Sequence, residues 1–319
     1  MNQAAALTTR PKVFVAGIYA ADLVFTGERM PVPGETIIAT HFMRGHGGKG
    51  SNQAIAAARA GADVSFFTFI GDDVFGQEAV ELWRREGVRN KARVVAGQAT
   101  GAAGIFLDAR TGGNAITVFP GASQSMRAGD MDAMEADIAA SAVFVVQLEQ
   151  AMDVARRGLA LARKHGVTAI LNPAPAPAQG LPDDIFPLCD YIVPNETEAS
   201  LLTGLPVETP AQAEAAARAL LGKGVRNVII TLGAKGALYC GPTDTFLVEP
   251  VSAGECIDTV GAGDGFIAGL ATGLGKGLPL RDAMKFAAAL AGISVTRRGA
   301  AASMPMLEEI ELVLANQTR

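Results

Sequence analysis

Residues 143–177 read VFVVQLEQAMDVARRGLALARKHGVTAILNPAPAP, and this stretch decides the fold. A short apolar run rich in Val predicts a strand near Val143–Gln147, Met152–His165 reads as a helix, and Thr168–Leu171 as a second strand. The same alternation continues, with strands expected near Tyr191–Val193 and Val228–Thr231 and a helix over Ala211–Leu221. Right-handed crossovers between such units give a mostly parallel sheet with helices on both faces. Ligands of such sheets bind outside the carboxyl ends of the strands.

Working back from there, KVFVAGI at 12–18 reads as a buried first strand. From Asp22 to Arg44 the chain is punctuated by Pro31, Pro33 and Gly34, which predicts an antiparallel flap rather than a helix. Ser51–Gly61 is Ala-rich and ends in Gly, as a closely packed helix does. A strand is expected at Val64–Ile70, a helix around Gln77–Glu86, and a second flap at Gly104–Pro120 turning at Thr111–Asn114. The two flaps, roughly 20–45 and 100–121, are expected to pair into one small β-lid. The prolines of NPAPAPA (172–178) demand extended backbone, and no composition shift marks a boundary, so 1–319 reads as a single domain.

Composition removes several function classes. Hydrophobic residues are 49% and charged residues 18% of the chain, enough apolar material for a buried sheet. Cys189, Cys240 and Cys256 are widely spaced and odd in number, which points away from a disulfide framework and towards a reducing cytoplasm. Met1–Lys12 lacks the apolar core of a leader, and no stretch reaches the ~18 uninterrupted apolar residues of a span, so no membrane partner is expected. A net charge of −5 with scattered Lys and Arg speaks against nucleic acid. His41, His46 and His165 form no ligand pair, so any metal should arrive with a substrate.

Four segments carry chemistry. In DTVGAGDGF (258–266), followed by an apolar helical run, glycines 261, 263 and 265 let the first N–H groups of a helix converge on one anion. Asp264 beside them is either a helix cap or a base that takes a proton from an attacking hydroxyl. GHGGKGSN (45–52) contains a GxGxxG, but after a flap rather than the first strand, and Lys49 is followed by Gly50 where a P-loop has Ser or Thr. What remains is a turn bringing backbone close to a ligand, with Lys49 and Asn52 able to bind hydroxyls, or simply a helix entry. PNETE (194–198) places Asn195 and Glu198 three apart, as Mg²⁺-shell residues or as an ordinary N-cap. TLGAKG (231–236) offers N–H groups to a nucleotide, or is a hairpin turn.

Taken together, GGKGSNQA at 47–54 and DTVGAGDGF at 258–266 resemble the two signatures of the ribokinase-like (PfkB) family of carbohydrate kinases, and the likeness runs from first strand to last helix. QLE (147–149), NPAPA (172–176), PNETE and VTRRGA (295–300) are most similar to its ribokinase branch. The resemblance implies a three-layer αβα sandwich with a mostly parallel sheet and a β-lid, and an ATP-dependent sugar kinase acting on ribose. It implies Asp264 as base, with Gly261, Ala262 and Gly263 as anion hole. Asp22, Gly48, Lys49, Asn52 and Glu149 would hold the sugar, with Asp258 also reaching it. Asn195, Glu198, Thr231 and Gly233, with Gly236 in the same turn, would serve MgATP. A monovalent cation, potassium, would sit on Asp258, the carbonyls of Val260, Ser294, Arg297 and Gly299, and Ser303. A homodimer joined through the lids is implied as well.

Two positions depart from the ribokinase pattern. Ala20-Ala21-Asp22 stands where ribokinases have Asn-Ala-Asp, and a lost amide at such a site costs about 1–3 kcal/mol of discrimination. Ala288 replaces a polar residue near the adenine. The alternatives are a family kinase for another acceptor, such as fructose, 2-keto-3-deoxygluconate or a nucleoside. Outside the family they are a dehydrogenase resting on the GxGxxG alone, or a non-enzymatic sensor, which would predict a damaged Asp264 loop.

Overall fold

The computed structural model describes residues 10–317; residues 1–9, which hold most of the stretch read for a leader, and 318–319 lie outside the described residues. In chain order the strands are β1 (Lys12–Ala16), β2 (Ala20–Gly27), β3 (His41–Gly47), β4 (Asp63–Phe67), β5 (Phe69–Gly71), β6 (Arg89–Asn90), β7 (Arg93–Val95), β8 (Ala102–Asp108) and β9 (Asn114–Phe119). They continue as β10 (Val143–Val146), β11 (Thr168–Leu171), β12 (Tyr191–Ile192), β13 (Asn227–Thr231), β14 (Ala237–Cys240) and β15 (Thr245–Val248). The helices are α1 (Lys49–Arg59), α2 (Val74–Arg85), α3 (Ala128–Asp132), α4 (Glu135–Ala139), α5 (Met152–Lys164), α6 (Glu196–Thr203), α7 (Pro210–Gly222), α8 (Ala262–Gly275), α9 (Leu280–Ser294) and α10 (Leu307–Gln317).

The large sheet runs β15-β14-β13-β12-β11-β10-β1-β4-β6. Pairing is parallel from β6 to β13, and only the β13-β14-β15 edge is antiparallel. Because strand side chains alternate, β1 feeds two cores: Val13 and Val15 pack with α1, α8 and α9, while Phe14 and Ala16 pack with α5 and α7 on the other face. That is the three-layer sandwich expected. The chain leaves β1 for β4 on one side and later returns to β10 on the other, so a switch point opens at the carboxyl ends of β1 and β10.

The two flaps pair as expected into a four-stranded sheet, β3-β2-β8-β9, in which β2 lies antiparallel to β3 and parallel to β8. The expected strand at 64–70 is instead two strands. Asn90 accepts from the amide of Ala92 and bends the neighbouring chain, so β4 pairs with β6, while β5 breaks away after buried Thr68 to pair with β7. The first helix begins at Lys49, two residues before the expected Ser51, because Gly48 takes φ +84° and makes the turn alone.

Candidate active site

The switch point is closed by two glycines. A Cβ on Gly50 would lie 2.7 Å from Gly17 Cα, so only this pair lets the start of α1 sit against the end of β1. Glu149, just past β10, uses that approach: its Oε2 accepts the Lys49 amide at 2.8 Å, a carboxylate at the positive end of α1.

Asp264 arrives from the far end of the chain. It is the third residue of α8, 6% exposed, and does not cap its own helix, whose entry is made by Gly261 at φ +80°. Its carboxylate instead accepts from α1, Oδ2 from Asn52 Nδ2 and Oδ1 from Gln53 Nε2, each at 2.9 Å. The capping alternative therefore fails. Among the described residues, the N–H groups of Gly263 and Asp264 donate to no protein acceptor and remain available to an anion, whereas Ala262 N–H is turned onto Thr259 O at 3.2 Å.

A cleft of ≈210 Å³ opens over this point, lined by Lys49, Asn172, Asn195, Glu198, Thr231, Thr259, Gly261, Gly263 and Asp264 among others. Its charges sense one another. Lys49 is held above its usual value, chiefly by the Asp264 carboxylate. Burial pushes Glu149 up to about 7 against the opposing pull of Lys49, and Asp22 up to about 6. Burial also raises Glu198. Asn52 Oδ1 is buried with no protein partner, an acceptor waiting for a donor.

The other predicted residues fall into three groups. Asn195 and Glu198 form a reciprocal capping box at the start of α6, 2.8 and 2.9 Å, so the N-cap reading of PNETE holds, and both residues also face the cleft. Thr231 lines the cleft, but Gly233 and Gly236 do not; Gly236 adopts φ +90° and presses on Val248 O, where a Cβ would come to 2.1 Å. Asp258 ties its own loop to the one before α10: Oδ1 accepts Val260 N at 3.0 Å and Oδ2 accepts Gly299 N at 2.9 Å. Among the described residues the carbonyls of Val260, Arg297 and Gly299 accept no hydrogen bond, that of Ser294 accepts Arg297 N at 3.1 Å, and the Ser303 hydroxyl donates to Ala300 O at 2.8 Å. Such a donor set fits a weakly hydrated monovalent cation.

Sequence reasoning assigned no role to Gln53, Gln147, Asn172 or Thr259. Gln147 and Asn172 each follow directly on a buried apolar strand, and a carboxamide in that place is the signal that would have found them.

Fold and cleft together define a phosphotransferase, with an anion site at a helix entry and a buried carboxylate beside it. The pfkB family carbohydrate kinase model matches residues 10–307. Deoxyribokinase of Salmonella typhimurium is 36% identical over 304 residues, 95% of this chain and 98% of that one. Ribokinase of Staphylococcus aureus is 38% identical over 306 residues, 95% and 99% of the two chains. The solved structure of Arabidopsis thaliana ribokinase complexed with ribose and ATP superposes with a TM-score of 0.90 at 30% identity, covering 96% of this chain and 99% of that one. The chain belongs to the pfkB family of carbohydrate kinases and is a phosphotransferase acting on an alcohol group.

The raised carboxylates give a pH signature. Glu149 favours its protonated form in the fold, so its stabilising contribution is complete below the ordinary carboxylate range and is lost as pH rises through about 7. The melting temperature of the wild type relative to Glu149→Gln is expected to fall between pH 6 and pH 8, read by scanning fluorimetry. A difference that rises over that interval would mean that Glu149 is stabilised as the anion.

Proposed function

We propose that this chain transfers the γ-phosphoryl group of ATP to the 5-hydroxyl of D-ribose, with Asp264 as base. The observation that carries the reading is the carboxylate of Asp264, held by two amides of α1 at the foot of the cleft beside the unpaired N–H groups of Gly263 and Asp264. The ribose and ATP bound by the Arabidopsis relative support both substrates.

In this account Asp22, Glu149, Lys49 and Asn52, with the Gly48 turn, bind the sugar hydroxyls, and the orphan Asn52 Oδ1 accepts one of them. The hydroxyl proton passes to Asp264 as its oxygen bonds to the γ-phosphorus and the bond to the ADP oxygen breaks. The α8 entry, where the N–H groups of Gly263 and Asp264 are free, receives the charge on the migrating group. Asn195, Glu198, Thr231 and the Gly233–Gly236 turn face the nucleotide. Asn195 and Glu198 would hold the water shell of Mg²⁺, which would neutralise phosphate charge, and Glu198 Oε1, unused by the capping box, fits that task. Asp258, the carbonyls of Val260, Ser294, Arg297 and Gly299, and Ser303 would hold potassium, which would supply a fixed positive charge.

The four-stranded sheet serves as the lid of a single catalytic unit. By strand register Asp22 shares its face with Val24, Met43, Ile105, Ile116 and Val118, of which Met43, Ile116 and Val118 are more than half exposed. A second copy of the chain covers that apolar surface, giving a homodimer through the lids. A cytoplasmic location fits the free cysteines, and no helix among the described residues is long and apolar enough to cross a membrane.

A second acceptor reading has its own observation. Ala20 lies on the Asp22 face and is buried, so the position offers a methyl group rather than an amide to the acceptor. That favours an acceptor with one hydroxyl fewer or placed differently, and the deoxyribokinase relative supports it.

A panel of ribose, 2-deoxyribose, fructose, 2-keto-3-deoxygluconate and nucleosides, assayed for ADP release, is expected to place ribose first; any other acceptor with a higher kcat/KM overturns that choice. With the best acceptor, Asp264→Asn is expected to lower kcat by about 10²–10⁴-fold or more with KM little changed. Ile116→Asp is expected to convert a dimer into monomers in light scattering; a dimer that survives it would place the interface elsewhere.

A further inference from the structure

Behind Asp264 lies a chain of three carboxamides. Gln53 Nε2 donates to Asp264 Oδ1 at 2.9 Å and to Asn172 Oδ1 at 3.2 Å. Asn172 Nδ2 donates to the carbonyl of Val193 at 3.0 Å, and Gln53 Oε1 accepts from Gln147 Nε2. An isolated amide can face either way, but here every direction is forced. Val193 O can only accept, so Asn172 turns its N–H to it and its oxygen to Gln53. Gln53 must then offer N–H, which is also what an ionised Asp264 requires. The remaining oxygen of Gln53 meets the N–H of Gln147.

All three side chains are buried, Gln53 and Gln147 almost completely. The arrangement leaves Gln147 Oε1 with no partner, so apolar side chains of the same length would fill the space with fewer unpaired atoms. What the amides give in return is a fixed direction at Asp264.

We propose that Gln53 is a positioning residue for the base, clamping Asp264 Oδ1 so that its free lone pairs face the cleft, with Asn172 and Gln147 setting the direction of the Gln53 amide. The proposal rests on Asp264 being the base.

The test is steady-state kinetics of Gln53→Met and Gln147→Met, alone and combined with Asp264→Asn, using MgATP and the best acceptor of the panel. Gln53→Met, which leaves Asn172 Oδ1 and Gln147 Nε2 unpaired, is expected to lower the melting temperature and keep acceptor KM while kcat falls about 10- to 100-fold, the usual effect of a misplaced reacting group. Gln147→Met, which does not touch Asp264, shows a smaller loss confined to kcat. On the Asp264→Asn background neither substitution lowers the residual turnover further. Wild-type kcat in Gln53→Met, a rise in KM in its place, or an equal loss on both backgrounds overturns the positioning role. If Gln53→Met does not fold, Gln147→Met decides alone, and an unchanged kcat there counts against the proposal. Undiminished turnover in Asp264→Asn removes the base itself and the proposal with it, an outcome distinct from a full-rate Gln53→Met beside an inactive Asp264→Asn.

Discussion

Two hydrogen bonds, from Asn52 and Gln53 to the carboxylate of Asp264, join residues more than 200 positions apart, and much of the architecture serves to make them possible. They require α1 and α8 to pack side by side on one face of the sheet, with both helix entries at the β1–β10 switch point. Glycine makes the approach possible on both sides. Gly17 and Gly50 bring α1 onto β1, and along α8 the glycines at 265, 269 and 273 bring that helix onto α9, where a Cβ on Gly269 would lie 2.6 Å from Ala287 Cα. A side chain at these positions would tilt a helix, and the carboxylate would lose its partners before the core lost its packing.

The electrostatics follow from the same crowding. Asp264, Glu149 and Glu198 act on one cation, Lys49, Asp22 acts on Glu149, and burial lifts Asp22, Glu149 and Glu198 above the ordinary carboxylate range. A pocket with more acceptors than donors suits a ligand rich in hydroxyl groups, each of which can donate. The unpaired N–H groups at the α8 entry supply the opposite polarity a few atoms away, so one cleft offers acceptors to a polyol and donors to an anion.

Much of this was legible in the sequence. The strand–helix alternation after residue 130 gave the sheet, because parallel strands buried on both faces write continuous apolar runs. The lid pairing followed from proline, glycine and turn residues. The placement of Asp264 beside Asn52 and Lys49 came from the resemblance, and the structure adds what spacing could not: Asp264 is not a cap. Other details escaped for physical reasons. The break between β4 and β5 depends on Asn90 in a neighbouring strand, and the roles of Gln53, Gln147 and Asn172 depend on contacts across 94 to 211 positions, which leave no local pattern. Carbonyl ligands such as Val260 and Gly299 leave none either. Nor does any spacing reveal that Asp258 joins Val260 to Gly299 through their amides.

The most direct test of the central claim is a crystal structure with the acceptor, MgADP and aluminium fluoride as a phosphoryl mimic. The account predicts the acceptor hydroxyl within hydrogen-bonding distance of the Asp264 carboxylate and the fluoride cluster on the N–H groups of Gly263 and Asp264. A hydroxyl bound to some other group, with Asp264 still occupied only by Asn52 and Gln53, would contradict it.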